Sequence, residues 1–494
     1  MLFIGIDLGT SALKLLLMDE KGKIRHIVNE EYPVSYPNPG WSEQNPEDWW
    51  KAVCRGIPRL LEGFPSEEVR GIGAGGQMHG LVVLDDQDRV IRPAILWNDG
   101  RSQKQVEYLN ETIGRDKISA WTGNIAFAGF TAPKILWMRE NEPELFSRIS
   151  KIMLPKDYIN YRLTGVLSTD YSDASGMLLL DVRHRRWSRE MLELCGIREE
   201  QMPTCFESSD PVGTLTKEAA DLLHLPQDTV VCAGAGDNAA AAVGSGAVGN
   251  GRCNISLGTS GTIFITSDQF RVDPSNALHS FAHADGGYHL MGCLLSAASC
   301  NKWWMEDICK TGDYPSEQKP ITDDRLGADG VYFLPYLMGE RSPHNDPAAR
   351  GCFIGLRMDS TRADMTQAVL EGVAFALKDC LEIANREGIR PEASTICGGG
   401  AKSPLWKKIV ANVLNIRLLC PVTEQGPGYG GAMLAAVASG AFPSVRDCSS
   451  QFFQVNEVID PDPEISSRYL RKYEIWRTLY PLLKPTFKDM EANE

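Results

Sequence analysis

The chain lacks the features that mark several large protein classes. Its 494 residues contain 13 scattered cysteines but no Cys-x-x-Cys pair, which argues against a disulfide framework or a zinc site. No apolar run is long enough to span a bilayer, and the N-terminus lacks the basic start and apolar core of a signal peptide. The formal net charge of −14 disfavours binding to nucleic acid. We therefore expect a cytoplasmic protein that acts on small molecules, with neither nucleic acid nor membrane as a partner.

An internal repeat and the length of the chain predict two domains. A chain of 494 residues is too long for one ordinary hydrophobic core. Residues 6–11 read Ile-Asp-Leu-Gly-Thr-Ser, residues 255–260 read Ile-Ser-Leu-Gly-Thr-Ser, and both copies lie between predicted strands. We predict an N-terminal domain over residues 1–245 and a C-terminal domain over residues 246–494, joined at the small-residue segment 244–251.

Both halves alternate helical and strand patterns, which predicts an α/β fold. The chain opens with strands at 3–7, at 13–18 and from Ile24, a meander whose first turn carries the repeated Gly-Thr-Ser. Further strands are predicted at 71–74, 81–84, 394–397 and 418–419, and helices at 49–61, 132–140, 238–243, 363–387, 405–414, 431–439 and beyond 466.

The first copy of the repeat has the composition of a phosphate-binding turn. Gly9 lets the backbone approach a ligand, Thr10 and Ser11 add hydroxyl and N–H donors, and Lys14 adds a positive charge. Asp7 is an anion, so it fits such a site if a divalent cation lies between it and the phosphate. Taken alone, the loop is better explained as a tight β-turn with a capping Asp.

The second copy differs at one informative position. Ser256 stands where the first copy has Asp7, while Gly258 and Thr259 repeat Gly9 and Thr10. A loop that only binds phosphate needs no metal-binding carboxylate. The two copies therefore predict one loop that binds metal and phosphate and one that binds phosphate alone. Together they would bind a nucleotide from both sides of a cleft.

A Gly-rich turn at 232–236 leads into an Ala-rich helical segment that starts with Asp237. We reject a dinucleotide-binding loop, because the carboxylate would compete with a pyrophosphate for the helix dipole. Asp237 is then either a helix N-cap, the better explanation in isolation, or a general base for a sugar hydroxyl.

Three further motifs have weaker signals. The glycines at 398–400 remove side chains from a surface on which a flat purine could lie, although a plain loop is the alternative. Residues 75–80 and 97–101 offer amide, imidazole, carboxylate and guanidinium groups that suit a polyol, but taken alone they are better explained by ordinary loop chemistry. His279 and His283 have no glutamate in the zincin position, and we interpret them as structural.

Two long stretches point to a known family. Residues 129–141 (Gly-Phe-Thr-Ala-Pro-Lys-Ile-Leu-Trp-Met-Arg-Glu-Asn) and residues 351–356 with 364–372 resemble the signatures of the FGGY carbohydrate kinases, which belong to the actin-like ATPase superfamily. The resemblance runs from Phe3 to about Pro481. It implies two actin-like (ribonuclease H-like) α/β domains with a cleft between them, which would bind ATP and Mg2+.

The resemblance also implies roles for the residues singled out above. Asp237 is the expected general base, and Asp7 is the second catalytic residue and the metal ligand. The expected sugar-binding residues are Met78, His79, Asp237, Asn238, Trp97 and Asp99. The expected ATP- and phosphate-binding residues are Gly9, Thr10, Ser11, Lys14, Gly258, Thr259, Gly398, Gly399, Gly400 and Ala401.

Segments 41–44, 76–80, 92–101 and 333–341 resemble most closely the family branch that phosphorylates D-xylulose. The resemblance thus implies transfer of a phosphoryl group from ATP to D-xylulose, and a homodimer as the family's usual assembly. Two alternatives stay open: a kinase for another sugar or polyol (ribulose, gluconate or glycerol), and a non-catalytic nucleotide switch of the actin-like superfamily. Tyr429 departs from the family pattern, which has a smaller residue near the adenine.

Overall fold

The structure, a computed structural model, describes residues 1–423 and 425–493. It contains two seven-stranded sheets. The first is built from β1 (Leu2–Leu8), β2 (Ala12–Asp19), β3 (Ile24–Glu31), β4 (Val69–Gly76), β5 (Pro211–Thr214), β6 (Val230–Cys232) and β7 (Ala235–Gly236). The second is built from β8 (Cys253–Leu257), β9 (Gly261–Ser267), β10 (His279–Ala282), β11 (Tyr288–Leu294), β12 (Ala393–Cys397), β13 (Arg417–Pro421) and β14 (Val455–Ile459).

The two sheets repeat one connectivity. The strand orders are β5-β6-β4-β1-β2-β3, with β7 also paired to β4, and β10-β11-β9-β8-β12-β13-β14. In each sheet an antiparallel hairpin (β1–β2 or β8–β9) is extended on one side by antiparallel strands. On the other side two parallel strands follow (β4 and β6, or β12 and β13). The predicted α/β fold with two actin-like halves is therefore confirmed.

The longer helices, together with those at Asp237–Gly244 and Val445–Phe452, flank these sheets. They are α1 (Pro46–Leu60), α2 (Thr131–Asn141), α3 (Pro155–Thr164), α4 (Asp237–Gly244), α5 (Arg362–Arg386), α6 (Pro404–Leu414), α7 (Gly426–Ala438), α8 (Val445–Phe452) and α9 (Pro463–Glu491). Shorter helices lie at Gln103–Glu107, Arg115–Thr122, Pro143–Ser147, Tyr171–Ala174, Arg189–Cys195, Lys217–Leu223, Ala298–Lys302 and Tyr314–Gln318. Short strand pairs join Glu43–Gln44 to Ala94–Ile95, Val82–Leu84 to Lys151–Met153, Ser168–Asp170 to Thr204–Phe206, Leu180–Asp181 to Arg186–Trp187, and Tyr332–Leu334 to Cys352–Ile354.

Side-chain caps determine where several helices begin. Asn45 accepts a hydrogen bond from the Glu47 N–H at the start of α1, where Pro46 occupies the first helical position. Thr361 and Asp364 form a reciprocal capping box at the start of α5. The sequence-based bounds of these two helices are therefore accurate to within about one turn.

Helix α7 begins five residues before the predicted start at residue 431. The predicted helix omitted the glycine-rich segment 426–430, where close packing against the first sheet requires small residues. A side chain at Gly5 in β1 would collide with the Gly428 carbonyl, and a Cβ at Gly71 in β4 would stand 2.8 Å from the Ala435 carbonyl oxygen. Helices α7 and α8 thus join the hydrophobic core around the first sheet, although they belong to the predicted C-terminal domain of residues 246–494.

Two observations bear on the class of protein. The 13 cysteines all lie in the described ranges, and none of them forms a disulfide. Among the helices of residues 1–423 and 425–493, none combines the length and the apolar character needed to cross a lipid bilayer.

Candidate active site

Three parallel strands of the first sheet end at one edge. β1 and β4 pair in parallel with Asp7 opposite Gly75, and β7 pairs with β4 so that Gly236 stands opposite Gly76. Each strand is followed at once by a predicted site segment: residues 9–11 after β1, residues 77–79 after β4, and Asp237 after β7. The parallel register therefore brings the first phosphate loop, the Met-His pair and the expected base together.

Asp7 and Asp237 influence each other electrostatically. Burial raises the pKa of Asp7 to about 6, against the opposing effect of Lys14, which stands opposite it across the β1–β2 hairpin. Burial raises the pKa of Asp237 to about 7, hydrogen bonds from Asn238 lower it, and the charge of Asp7 raises it further. Two carboxylates that repel each other in a half-buried cleft are a favourable site for a cation.

Asp237 is the first residue of α4, and the N-cap is Gly236, without a side-chain cap. The N-cap interpretation of Asp237 is therefore wrong. One carboxylate oxygen accepts hydrogen bonds from the Asn238 N–H at 2.7 Å and from its side-chain amide at 2.9 Å. The other oxygen accepts no hydrogen bond from any residue in the described ranges, and Asp237 keeps part of its surface accessible. That oxygen can take a proton from a ligand.

A buried polar cluster that sequence reasoning did not single out holds the segment before Asp237. Lys156 lies 2.6 Å from Asp157 and 2.9 Å from Asp170, and all three side chains are buried. The Ser172 hydroxyl donates to Asp170 and accepts a hydrogen bond from the Gly236 N–H at 3.1 Å. The cluster therefore orients the peptide unit directly before the expected base.

The first phosphate loop is held by two amide side chains and an indole. Gln44 donates to the Thr10 carbonyl at 2.6 Å, and the Thr10 hydroxyl donates to Gln77 at 3.2 Å. The Trp97 indole N–H donates to the same hydroxyl at 3.0 Å. The Gly9 N–H also donates to the Ala12 carbonyl, at 3.1 Å. Since this N–H and the Thr10 hydroxyl are both occupied, the loop offers a phosphate the backbone N–H groups of Thr10 and Ser11 and the exposed Ser11 side chain.

Two predicted sugar-binding residues have other contacts. Trp97 is 41% exposed and is tied to the phosphate loop. Asp99 is 2% exposed, and its oxygens accept hydrogen bonds from the Ser42 N–H at 2.6 Å and from the backbone and guanidinium of Arg101 at 2.7–2.9 Å. Because Asp99 has no surface left for a ligand, we leave it out of the proposed sugar-binding set and treat it as a structural partner of Arg101.

His79 has a left-handed backbone, with a φ of 71°, that turns its ring into the cleft. Its Nδ1 lies 2.8 Å from the Gly176 carbonyl, which can only accept, so Nδ1 carries the proton. Burial lowers the pKa of His79 well below its usual range, and the neighbouring Lys134 adds to this. The ring is therefore neutral, and Nε2 is an acceptor for a sugar hydroxyl. Met78 is 5% exposed and packs against Gly236, where a Cβ would lie 3.0 Å from its sulfur.

Aromatic side chains from both halves enclose this pocket, a feature that the sequence analysis missed. Phe130 lies 4.8 Å from the His79 ring, and Phe281 of β10 lies 6.4 Å from it. His279 stacks on Phe281 at 5.4 Å, and burial lowers its pKa to about 3. The described residues contain no cluster of three His, Cys, Asp or Glu side chains that could hold a metal ion. Asn124 exchanges two hydrogen bonds with the Ser280 backbone, at 2.9 and 3.0 Å, and so ties β10 to the first half.

The second phosphate loop lies beside a cavity of about 570 Å³. The cavity is lined by Thr259, Ala298, Ser299, Asn301, Lys302, Tyr314, Pro315, Gln318, Gly399, Gly400, Lys402, Ser403, Pro404 and Trp406. Three of the predicted residues, Thr259, Gly399 and Gly400, thus line one cavity. Gly398 packs beneath them, because a Cβ at this position would lie 2.8 Å from the Leu257 carbonyl oxygen. Ala401 is buried, and Gly258 accepts a hydrogen bond from the Ala298 N–H at 2.8 Å.

Tyr429 lies away from this cavity. Its side chain is 4% exposed, and its hydroxyl donates to the Gly22 carbonyl at 2.7 Å in the turn between β2 and β3. Tyr429, which is larger than the residue in the family pattern, therefore affects the contact of α7 with the first sheet and not the cavity beside Gly399.

Comparison with known proteins assigns both halves of the chain to one family. Residues 2–244 match the model of the N-terminal domain of the FGGY family of carbohydrate kinases, and residues 253–439 match the model of its C-terminal domain.

Individual relatives match over nearly the whole chain. The xylulose kinase of Escherichia coli (strain K12) is 41% identical over 486 residues, 98% of this chain and 99% of that protein. A crystal structure of a xyloylose kinase from Brucella ovis has 40% identity and a TM-score of 0.93, covering 98% of this chain and 100% of that one. A gluconate kinase from Lactobacillus acidophilus has 28% identity and a TM-score of 0.94, covering 99% of both chains.

Proposed function

The chain belongs to the FGGY family of carbohydrate kinases, and on that premise we propose that it phosphorylates D-xylulose with ATP, giving D-xylulose 5-phosphate and ADP. The observation that carries the proposal is the meeting of Asp237, the neutral His79 ring and the first phosphate loop at one sheet edge. A non-catalytic nucleotide switch would have no use for a base and a hydroxyl acceptor at that edge.

The reaction needs one proton transfer and one phosphoryl transfer. The free carboxylate oxygen of Asp237 takes the proton from the terminal hydroxyl of the sugar. The oxygen of that sugar hydroxyl then attacks the γ-phosphorus of ATP in line. The new O–P bond forms as the bond to the β,γ-bridging oxygen breaks, and ADP leaves with that electron pair. The backbone N–H groups of both phosphate loops stabilise the charge of the transferring group.

The site suits a Mg2+ ion that is bound together with a nucleotide. Mg2+ is bound in such sites by one or two carboxylates together with phosphate oxygens and water. Asp7 supplies a half-buried carboxylate with a pKa raised to about 6, and its repulsion with Asp237 would be relieved by a cation. We assign Asp7 as the metal-binding residue. Bound there, Mg2+ would neutralise charge on the phosphates, while Lys14 adds a second positive charge.

We divide the ligands between the two halves. Residues 1–245 bind the sugar through Met78, His79, Asp237 and Asn238 and the phosphates through Gly9, Thr10, Ser11 and Lys14. Residues 246–494 bind phosphate through Gly258 and Thr259, and adenosine through the cavity beside Gly399 and Gly400. Cysteines that form no disulfide within the described ranges favour a cytoplasmic enzyme. A homodimer remains a family expectation.

The decisive experiment measures ADP release from ATP with a panel of acceptors: D-xylulose, ribulose, gluconate, glycerol and no acceptor. We expect D-xylulose to give the highest kcat/KM. Gluconate is a necessary competitor because of the similarity to the gluconate kinase from Lactobacillus acidophilus. Faster turnover of any other acceptor would overturn the substrate assignment, and ATP binding without any acceptor-dependent turnover would overturn the kinase assignment.

A further inference from the structure

A loop of the second half contributes a guanidinium to the wall between the sugar pocket and the second phosphate loop. The Ser342 N–H donates to the Cys293 carbonyl at 3.0 Å, so the segment at Arg341 is attached to the end of β11. Cys293 stands opposite Thr262 of β9, three residues after Thr259. One strand therefore separates Arg341 from the second phosphate loop.

On its other side Arg341 faces the aromatic wall of the sugar pocket. Its guanidinium carbon lies 5.8 Å from the centre of the Phe127 ring. Phe127 contacts Phe130 at 5.3 Å and His279 at 5.1 Å, and Phe130 contacts the His79 ring. Burial is the main cause of the lowered pKa of His279, and the positive charge of Arg341 is the second.

Arg341 forms no close ion pair in the described part of the chain, although its charge does act on the adjacent Glu340. No carboxylate of residues 1–423 or 425–493 forms an ion pair with it. The adjacent Glu340 is 2% exposed, and one of its oxygens accepts from the backbone N–H groups of Leu295 and Arg341 at 2.9 and 2.8 Å. Burial raises the pKa of Glu340 to about 8, even though those backbone hydrogen bonds and the charge of Arg341 lower it, so Glu340 is a weak counter-ion at neutral pH. A half-buried guanidinium that forms no close ion pair favours an anionic ligand.

We propose that Arg341 binds the phosphoryl group as it passes from the nucleotide to the sugar, and therefore also binds the phosphate of the sugar product. This inference rests on the proposed kinase function. The position between the second phosphate loop and the pocket that holds the acceptor is the position of the transferring group. The fork of a guanidinium matches the oxygens of a phosphate in a bidentate manner. Asp7 and its loop would hold the same group from the first half, so the two halves contribute opposite sides of its binding site.

The test separates binding of the sugar from binding of its phosphate. Arg341→Met keeps much of the side-chain volume and removes the charge, and Arg341→Lys keeps the charge without the fork. Arg362→Met is the matched control, because Arg362 pairs with Glu317 at 2.6 Å on the same half of the chain. Calorimetry with D-xylulose and with D-xylulose 5-phosphate is combined with initial rates.

For Arg341→Met we expect D-xylulose affinity within about twofold of wild type, D-xylulose 5-phosphate affinity at least about tenfold weaker, and kcat lower by about a hundredfold. Arg341→Lys should be intermediate, and Arg362→Met should match wild type. Equal weakening of both ligands would indicate a structural part of the pocket wall and would overturn the inference, as would no change in either.

A loss confined to gluconate would assign the guanidinium to a sugar carboxylate instead, and would also overturn it. The wild-type rate with D-xylulose tests the proposed function separately. If another acceptor proves to be the substrate, the same comparison uses that acceptor and its phosphate ester.

Discussion

The Thr10 hydroxyl donates a hydrogen bond to the side-chain oxygen of Gln77 at 3.2 Å. Thr10 lies at the tip of the first phosphate loop, and Gln77 directly precedes the Met78-His79 pair. Gln77 also donates to Gln44 at 3.0 Å, and Gln44 holds the Thr10 carbonyl. This buried amide pair therefore keeps the phosphate loop and the sugar pocket in a fixed relative position.

Replacing Gln77 by Leu should lower kcat by about ten- to hundredfold, because a phosphate loop displaced by a fraction of an ångström misaligns the in-line attack. Initial rates at saturating ATP and sugar measure the effect. Gln103→Leu, on an exposed helix face, is the matched control and should leave kcat unchanged. A kcat equal to wild type in Gln77→Leu would show that the Gln44–Gln77 pair does not position the loop for catalysis.

Replacing Asp237 by Asn should reduce turnover by about a hundred- to ten-thousandfold while ATP still binds, because the amide cannot accept the hydroxyl proton. Rates of ADP release and calorimetric titration with ATP measure the two effects. Near-normal turnover in this variant would show that another group is the base.

The pH dependence of kcat/KM for the sugar should follow the ionisation of Asp237. The base works only when deprotonated, so activity should rise with pH, reach half its maximum near pH 7 and level off more than about one pH unit higher. Asn238→Leu removes the side-chain amide that donates to the ionised Asp237 carboxylate at 2.9 Å. The pKa of Asp237 should therefore rise, and the rising part of the pH profile should move to higher pH. If the rising part of the profile stays in place or moves to lower pH, Asp237 is not the group that controls it.

Gly73→Ala should destabilise the fold by at least about 2 kcal/mol, because β4 and α7 pack too closely for a side chain. The added Cβ would collide with the Gly431 carbonyl and stand 2.9 Å from the Cys232 sulfur. Urea unfolding compares it with Gly312→Ala, where the Cβ would meet nothing within 4 Å. Equal unfolding midpoints in the two variants would contradict this account of the glycines.

Tyr429→Phe should cost about 1 kcal/mol of stability and leave the KM for ATP unchanged. The variant loses the hydrogen bond to the Gly22 carbonyl at 2.7 Å but does not alter the cavity beside Gly399. Urea unfolding and initial rates against ATP concentration measure both quantities. A several-fold rise in the KM for ATP would mean that Tyr429 influences the adenosine site.

Local signals in the sequence were sufficient for much of the fold. The meander around residues 9–11, its second copy at 258–260 and the long helix α5 follow from periodicity, turn residues and caps, all of which act within a few residues. The start of α7 could not be predicted in this way. A Cβ at Gly5 would collide with the Gly428 carbonyl, and a Cβ at Gly430 with the Ala240 carbonyl, so the start of α7 depends on contacts with β1 and α4, which are distant in sequence.

The candidate site divides in the same manner. The sequence by itself determined the repeated loop at 6–11 and 255–260, its difference at Asp7 and Ser256, and the family of the chain, because these are properties of residue type and spacing. Only the tertiary structure decided that Asp237 begins α4 without capping it, that Asp99 is occupied by Arg101, and that Arg341 faces the pocket from the second half. Those outcomes depend on contacts between segments distant in sequence, and on the burial that shifts a pKa, neither of which a local pattern encodes.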